Sequence, residues 1–440
     1  MIDLNDPEAV DAQYERYRGH RGAYTGAGMG NLARRDGHYL VDTDGVPHLD
    51  AHSQILCSIL GGRNTTAEVS TLTDHTGLNA VGADFTHSYI DELRGRLQRH
   101  LAAELGGDYE VEFASSGTAA NTAALRVSQA ALEGKMHVMG LDEGYHGNGA
   151  TLFLLRHPAW QQPHGSDLPS RLPVSFAGFE ETSVGRNFFE DYVAKTEEDL
   201  ARGFSPHLIA EGGVQGVAGF RNIDLASLQD MARDAHRRDG HVHFDGVQTQ
   251  PWRTGTGRFF PAGLVDSSDP LTIPDFVTSA KGSGDGEPLA WAAFRKEVME
   301  AARANGLGKG YDTYGQTIRG AVAGILVDEA VSDPAFQGNV RARGEQIEAG
   351  FAELMARFPG IVTGQNGMGL MRALDLRTPE NVAAFRRIGV SGPARLRMVV
   401  GAGGLRGNIL RFGPRLDITE EVAANLLSRT GGILEQMERA

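Results

Sequence analysis

Short apolar runs alternate with longer amphipathic stretches through the middle of the chain, and this alternation predicts an α/β domain with a mainly parallel sheet. Five runs read as strands: YEVEFA at 109–114, MHVMGL at 136–141, HLIAEG at 207–212, HVHFDG at 241–246 and DFVTSA at 275–280. Each ends in small or polar residues. Between them the apolar positions recur at three- and four-residue steps, the helical period. In 118–132 those positions are Ala120, Ala123, Ala124, Val127 and Ala131. A second helix is predicted over 224–240, opened by Asp224 as N-cap and stopped by Gly240. Beyond Asp312 the pattern changes to long helices at 316–331 and 340–358, short strands, and a last helix after Thr419. The expected division is a large α/β domain over 68–312 and a smaller α+β domain built from residues 1–67 and 313–440. The stretch 156–185, rich in Pro, His and Gly, reads as a long irregular connection.

The totals narrow the function classes. A formal net charge of −14 speaks against a nucleic-acid partner, because a phosphate backbone would be repelled by most of such a surface. No window approaches the roughly 20 uninterrupted apolar residues of a membrane span, and the charged N-terminal stretch lacks the apolar core of a signal peptide. A single cysteine, Cys57, leaves no internal disulfide and fits a reducing compartment; a buried apolar role is expected for it. The expectation is a soluble, cytoplasmic protein.

Four pieces carry the chemistry. The run SSGTAAN places Ser115, Ser116, Gly117 and Thr118 between a strand and a helix, where free N–H groups and hydroxyls can receive an anion such as a phosphate, although Ser and Thr also serve as ordinary helix caps. Asp245 stands at the C-terminal edge of a strand, where open α/β sheets collect ligands, and an aspartate there equally caps a loop. DEGYHG offers Tyr145 as an aromatic plate with His146 as a polar neighbour, or as plain packing. Lys281 follows a fourth strand, and a lysine in apolar or cationic surroundings can lose its proton and attack a carbonyl. Phosphate cradle, ring plate, carboxylate and amine are together the parts that hold pyridoxal 5′-phosphate, whose ring nitrogen must stay protonated to act as an electron sink. No metal site is expected.

With SSGTAAN, YHG, FDGVQTQPWRTG and PDFVTSAKGSGDGEPLA, the chain resembles the class III pyridoxal-phosphate aminotransferases of fold type I. Asp245, Val247, Gln248, Thr249, Arg253, Thr254 and Gly255 fit that family's pattern D-E-V-Q-T-G-x-x-R-T-G. The resemblance implies a seven-stranded-type, mainly parallel sheet between helices, with the smaller domain beside it. It implies that Lys281 forms the internal aldimine and shuttles a proton, and that Asp245 pairs with the ring nitrogen. Val247 and Tyr145 would cover the two ring faces, Gln248 would approach the ring hydroxyl, and Ser116, Gly117 and Thr118 would hold the phosphate. YDTYGQT stands for the family's T-F-x-G-N stretch, so Thr313 would reach the phosphate of a neighbouring subunit in a homodimer with shared active sites. ILRFGPRL resembles L-R-x-x-P-x-L and nominates Arg411 as a clamp for a substrate carboxylate.

The departures are specific. Ala119 and Gly246 replace glutamates of the pattern, Gln250 replaces a glycine, and AEGGVQG puts Glu211 one position further from Gln215 than in E-P-V-Q-G. No residue matches the glutamate that pairs with the C-terminal arginine in many ω-aminotransferases. The expected partners are a small-molecule amino donor and a carbonyl acceptor, a keto acid or aldehyde. An aminomutase or epimerase would use the same anchors, and a noncatalytic relative would keep only the fold.

Overall fold

The computed structural model describes residues 32–61, 65–81, 85–149, 152, 174–177, 193, 197, 201–256, 264–308, 310 and 312–439. Its centre is a seven-stranded sheet. In chain order the strands are β1 (Tyr109–Ala114), β2 (Met136–Leu141), β3 (Val174–Ala177), β4 (Ser205–Glu211), β5 (His241–Asp245), β6 (Phe276–Ser279) and β7 (Ala290–Arg295). Their spatial order is β1-β7-β6-β5-β4-β2-β3. Only β7 runs against the rest, pairing antiparallel with both β6 and β1. The other strands therefore all end at one edge of the sheet, and the loops that leave them converge there.

The five strands expected from the apolar runs are present within a residue or two of their expected bounds. Two were not foreseen. β7 is AWAAFR, whose alanines lack the β-branched signature that marks a strand. β3 is the one described part of 156–185; the rest of that stretch, expected as an irregular connection, lies outside the described residues.

Helices cover the sheet. α1 (Ser88–Leu105) buries Ile90, Leu93, Leu97, Leu101 and Leu105, the stripe that a 3.6-residue period produces. α2 (Gly117–Ala131) begins at Ser116, whose hydroxyl oxygen caps the Ala119 N–H at 3.2 Å. Its alanines let it lie close to the sheet: Ala120, Ala124 and Val127 pack with Phe276, Ala292 and Phe294. α3 (Leu225–Arg237) carries the foreseen cap, Asp224 accepting from the Ser227 N–H at 3.2 Å. On the C-terminal side follow α4 (Ile318–Val331), α5 (Pro334–Arg357) and, after Thr419 as N-cap, α6 (Glu420–Glu438). α5 starts six residues before its expected position because Asp333 caps it and Pro334 fills its first turn, a start signal that outranks the apolar period.

Two smaller sheets flank this body. Leu32–Asp36, Tyr39–Asp42 and Pro47–Asp50 form a meander that Met398–Val399 joins in parallel with Pro47–Asp50, so early and late segments share one sheet. Gly364–Met368, Met371–Asp375, Ile409–Phe412 and Gly401–Gly403 make an antiparallel sheet that carries Arg411.

Candidate active site

A cavity of about 370 Å³ opens where the parallel strands end. Ser116, Gly117 and Thr118 line it from the start of α2, Tyr145 and His146 from the loop after β2, and Val247 and Gln248 from the loop after β5. Asp245 and Lys281 face the same space. Nine of the eleven residues singled out in the sequence are thus brought together. Arg411 and Thr313 do not line the cavity.

Lys281 opens a single 3₁₀ turn, Lys281–Gly284, directly after β6. Its φ of 47° lies in the left-handed region that non-glycine residues seldom occupy. Burial is the main cause that lowers its ammonium to about 8, the Arg411 charge adding to it while the Cys57 thiol opposes. Roughly a tenth of this amine is therefore an unprotonated nucleophile at pH 7, far more than an ordinary lysine supplies.

Asp245 is buried, and its carboxylate is nevertheless held below the usual range. Burial works against ionisation; the hydrogen bond with His146 and the Val247 N–H outweigh it. His146 Nδ1 stands 2.8 Å from Oδ2, Asn121 Nδ2 donates to the same oxygen at 2.7 Å, and the Val247 N–H donates to Oδ1 at 3.0 Å. A carboxylate so fixed can keep a cationic ring nitrogen protonated.

The anion cradle is built by the start of α2. Ser115 is anchored by Asp312, whose Oδ2 accepts from both its N–H and its hydroxyl at 2.7 Å. A Cβ on Gly117 would stand 2.7 Å from Val247, so only glycine keeps the cradle open beneath that side chain. The 15-residue helix directs its N-terminal N–H groups and its dipole at the cavity, which suits a phosphate. Phosphate cradle, ring walls, carboxylate and amine thus fit pyridoxal 5′-phosphate in both chemistry and placement.

Arg411 donates through Nη1 to the Gly216 carbonyl at 3.0 Å and lies over the Phe220 ring, 5.5 Å from its centroid. Thr313 is exposed, next to Tyr314 at 70% exposure, on the segment that Asp312 ties to Ser115.

Three site residues escaped the sequence reading. Asn121 stood inside SSGTAAN, yet its spacing from Asp245 is a tertiary fact. Cys57, expected as a buried apolar residue, is instead half-buried and lines the cavity. Glu211 ends β4 directly opposite Asp245. Asp285 stands among glycines four residues after Lys281. It is buried and accepts from the Leu60 N–H at 3.0 Å, the Ile59 N–H, and the hydroxyls of Ser58 at 3.2 Å and Thr65 at 2.6 Å. This carboxylate thereby ties Ser58, Ile59, Leu60 and Thr65 together, directly after Cys57 in the chain.

Residues 25–434 match the family described as aminotransferase class-III. The chain belongs to this family. It is similar to acetylornithine aminotransferase 2 of Bordetella pertussis, 28% identical over 335 residues that span 75% of this chain and 76% of that one. It is also similar to the acetylornithine aminotransferase of Synechocystis sp., 27% identical over 400 residues, 88% and 85% of the two chains. Among solved structures, an aminotransferase of Bacillus anthracis shares the fold with a TM-score of 0.81 at 18% identity, covering 98% of this chain and 99% of that one. This class III protein is therefore a pyridoxal-phosphate-dependent aminotransferase of fold type I, acting on small-molecule amino donors and keto acceptors. An aminomutase or epimerase reading is not favoured by these relatives.

Proposed function

We infer that this aminotransferase moves an amino group from a carboxylate-bearing amino donor to a keto acid or aldehyde, with Lys281 as the reacting amine and Asp245 as the partner of the coenzyme's ring nitrogen. The observation that carries this reading is the convergence of an amine lowered to about 8 and a buried ionised carboxylate on one cavity with a helix N-terminus at its end. Bound there, pyridoxal phosphate supplies an aldehyde that takes up the amino group and a cationic ring that accepts the electron pair left by a departing proton.

The chain's own residues divide the remaining work. Ser116, Gly117 and Thr118 would hold the phosphate, Val247 and Tyr145 would enclose the ring, and Gln248 would approach the ring hydroxyl. His146 orients Asp245 through the Nδ1 contact. The Lys281 amine would hold the proton that leaves one carbon and returns to another. Arg411 receives the substrate carboxylate. The relatives named acetylornithine aminotransferases make acylated diamino acids the first donors to try.

A homodimer with shared sites belongs to this reading. The exposed Thr313 and Tyr314, on the segment tied to the phosphate cradle, support a contact with a second subunit's coenzyme. Cytoplasmic residence is supported by a lone, unbridged Cys57, and no helix among the described residues is long and apolar enough to cross a membrane. To this reading also belongs a division into a large domain over 68–312 and a smaller one from 1–67 with 313–440, which the sheet uniting Pro47–Asp50 with Met398–Val399 supports.

Borohydride reduction followed by peptide mapping tests the assignment. The coenzyme is expected on the peptide containing Lys281. Its recovery on another lysine, or on none, would sink it.

A further inference from the structure

Beneath Asp245 the contact between β5 and α2 is polar where the neighbouring contacts are apolar. Asn121 and Ser128 lie two turns apart on the buried face of α2. Alternate residues of β5, His241, His243 and Asp245, share one face of the strand. His207 of β4 is the register partner of His241, and Thr278 of β6 that of Asp245. These side chains form a continuous chain of contacts: Asp245 to Asn121 at 2.7 Å, Asn121 to Thr278, Thr278 to His243 at 3.0 Å, His243 to His207 at 3.3 Å, His207 to Ser128 at 2.8 Å, and Ser128 to His241 at 2.8 Å.

Proton counting allows this chain one direction. Asn121 Nδ2 faces two groups that only accept, the Asp245 carboxylate and the His146 carbonyl, so its Oδ1 must accept from the Thr278 hydroxyl. With that proton used, Thr278 Oγ1 can only accept from His243 Nε2–H. Burial keeps the imidazoles neutral, lowering His243 to about 3, His207 well below its ordinary value and His241 below it. A neutral His243 that donates from Nε2 must accept at Nδ1, so His207 donates to it from Nε2. His207 Nδ1 then accepts from Ser128, whose oxygen accepts from His241 Nδ1–H. Six donors in succession point toward one carboxylate.

We propose that Asn121, Thr278, His243, His207, Ser128 and His241 form a one-way hydrogen-bond chain that positions Asp245 and keeps it ionised before the coenzyme's ring arrives. A carboxylate deprived of water needs such donors, and each bond in an aligned series polarises the next. Protonation at Oδ2 would set a new O–H against the Asn121 N–H already pointed there. Only Asn121 reaches the cavity wall; the other five lie outside its lining, and all six act on the coenzyme through Asp245, as positioning residues. The idea rests on the reading of Asp245 as the ring-nitrogen partner.

The test has two readouts. In protein labelled with ¹⁵N-histidine, assigned through single His→Phe variants, His207 and His243 are expected as the Nε2–H tautomer and His241 as the Nδ1–H tautomer. An Nδ1–H proton on neutral His207 or His243 overturns the proposal with no functional assay. In holoenzyme carrying coenzyme ¹⁵N-labelled in the ring, Thr278→Val is expected to reduce the ring-nitrogen protonation signal and Thr278→Ser to restore it. An unchanged Thr278→Val signal, with the signal lost in Asp245→Asn, overturns the chain and leaves the reading of Asp245 standing. A ring proton that survives Asp245→Asn overturns both.

Discussion

Glu211 and Asp245 stand opposite one another at the ends of adjacent parallel strands, and their carboxyls are driven in opposite directions. Asp245 has three hydrogen bonds and is held ionised. Among the described residues Glu211 has one, from the Gly216 N–H at 2.8 Å, and its buried Oε2 meets no partner. Burial therefore pushes Glu211 up to about 7, against the field of His146. Two like charges side by side in a low dielectric would oppose each other, and unequal hydrogen bonding decides which one ionises.

A stability prediction follows for Glu211. The unfolded glutamate ionises near 4.5 and the folded one near 7, so the folded state binds the extra proton in between. Stability contributed by this group is lost as pH rises from about 4.5 through 7. Glu211→Gln, which keeps the acceptor for Gly216, should remove that loss and gain up to about 3 kcal/mol over the wild type at pH 8 relative to pH 5. Urea unfolding at the two pH values measures it, and parallel pH profiles for both proteins would contradict the assignment.

Lys281 should set the pH dependence of coenzyme capture. Uptake by apoenzyme is expected to accelerate as pH rises through about 8 and to level off above it, as the neutral amine becomes the main form. Lys281→Ala should abolish covalent capture and slow turnover by roughly 10²–10⁴-fold. Stopped-flow absorbance and steady-state assays check both, and near-normal turnover in the variant would be incompatible with the role.

Asp285 is expected to matter through structure. Asp285→Ala leaves the Ile59 and Leu60 N–H groups and the Thr65 hydroxyl without their acceptor. The cost should be about 2–4 kcal/mol in denaturant unfolding. Cys57, at the edge of the loosened segment, should react faster with thiol reagents. A variant within about 0.5 kcal/mol of the wild type would show that the clamp is dispensable.

For Arg411 the split between KM and kcat is diagnostic. Loss of a charge-assisted contact worth about 1.5–3 kcal/mol should raise KM for a carboxylate-bearing donor by roughly 10- to 100-fold in Arg411→Ala. A donor amine without a carboxylate should be affected little. Equal losses for both donors would place the arginine in a structural role, through its contacts with Gly216 and Phe220.

Much of the site was legible because its parts are local. Asp245 and Lys281 each end or follow an apolar run, and Ser116 to Thr118 lie between a strand and a helix whose caps follow ordinary propensity. Residues whose roles depend on pairing across the sheet were less so. His241 and His243 look like ordinary strand residues until Ser128 and Thr278 come within hydrogen-bond reach. β7 was missed since AWAAFR is stabilised as a strand by its neighbours β1 and β6 more than by its own residues.

The amino-acid order alone determined the strand-and-helix alternation, the strand-end position of the amine and the carboxylate, and the family to which they belong. These depend on residues near one another along the chain, through period, capping and turn chemistry. Tertiary packing decided the state of each titratable group: that Asp245 is ionised while Glu211 beside it holds a proton to about 7, and that Asp285 clamps a segment more than 200 residues earlier. Those outcomes depend on burial and on donors from separate elements, and neither exists until the sheet has assembled.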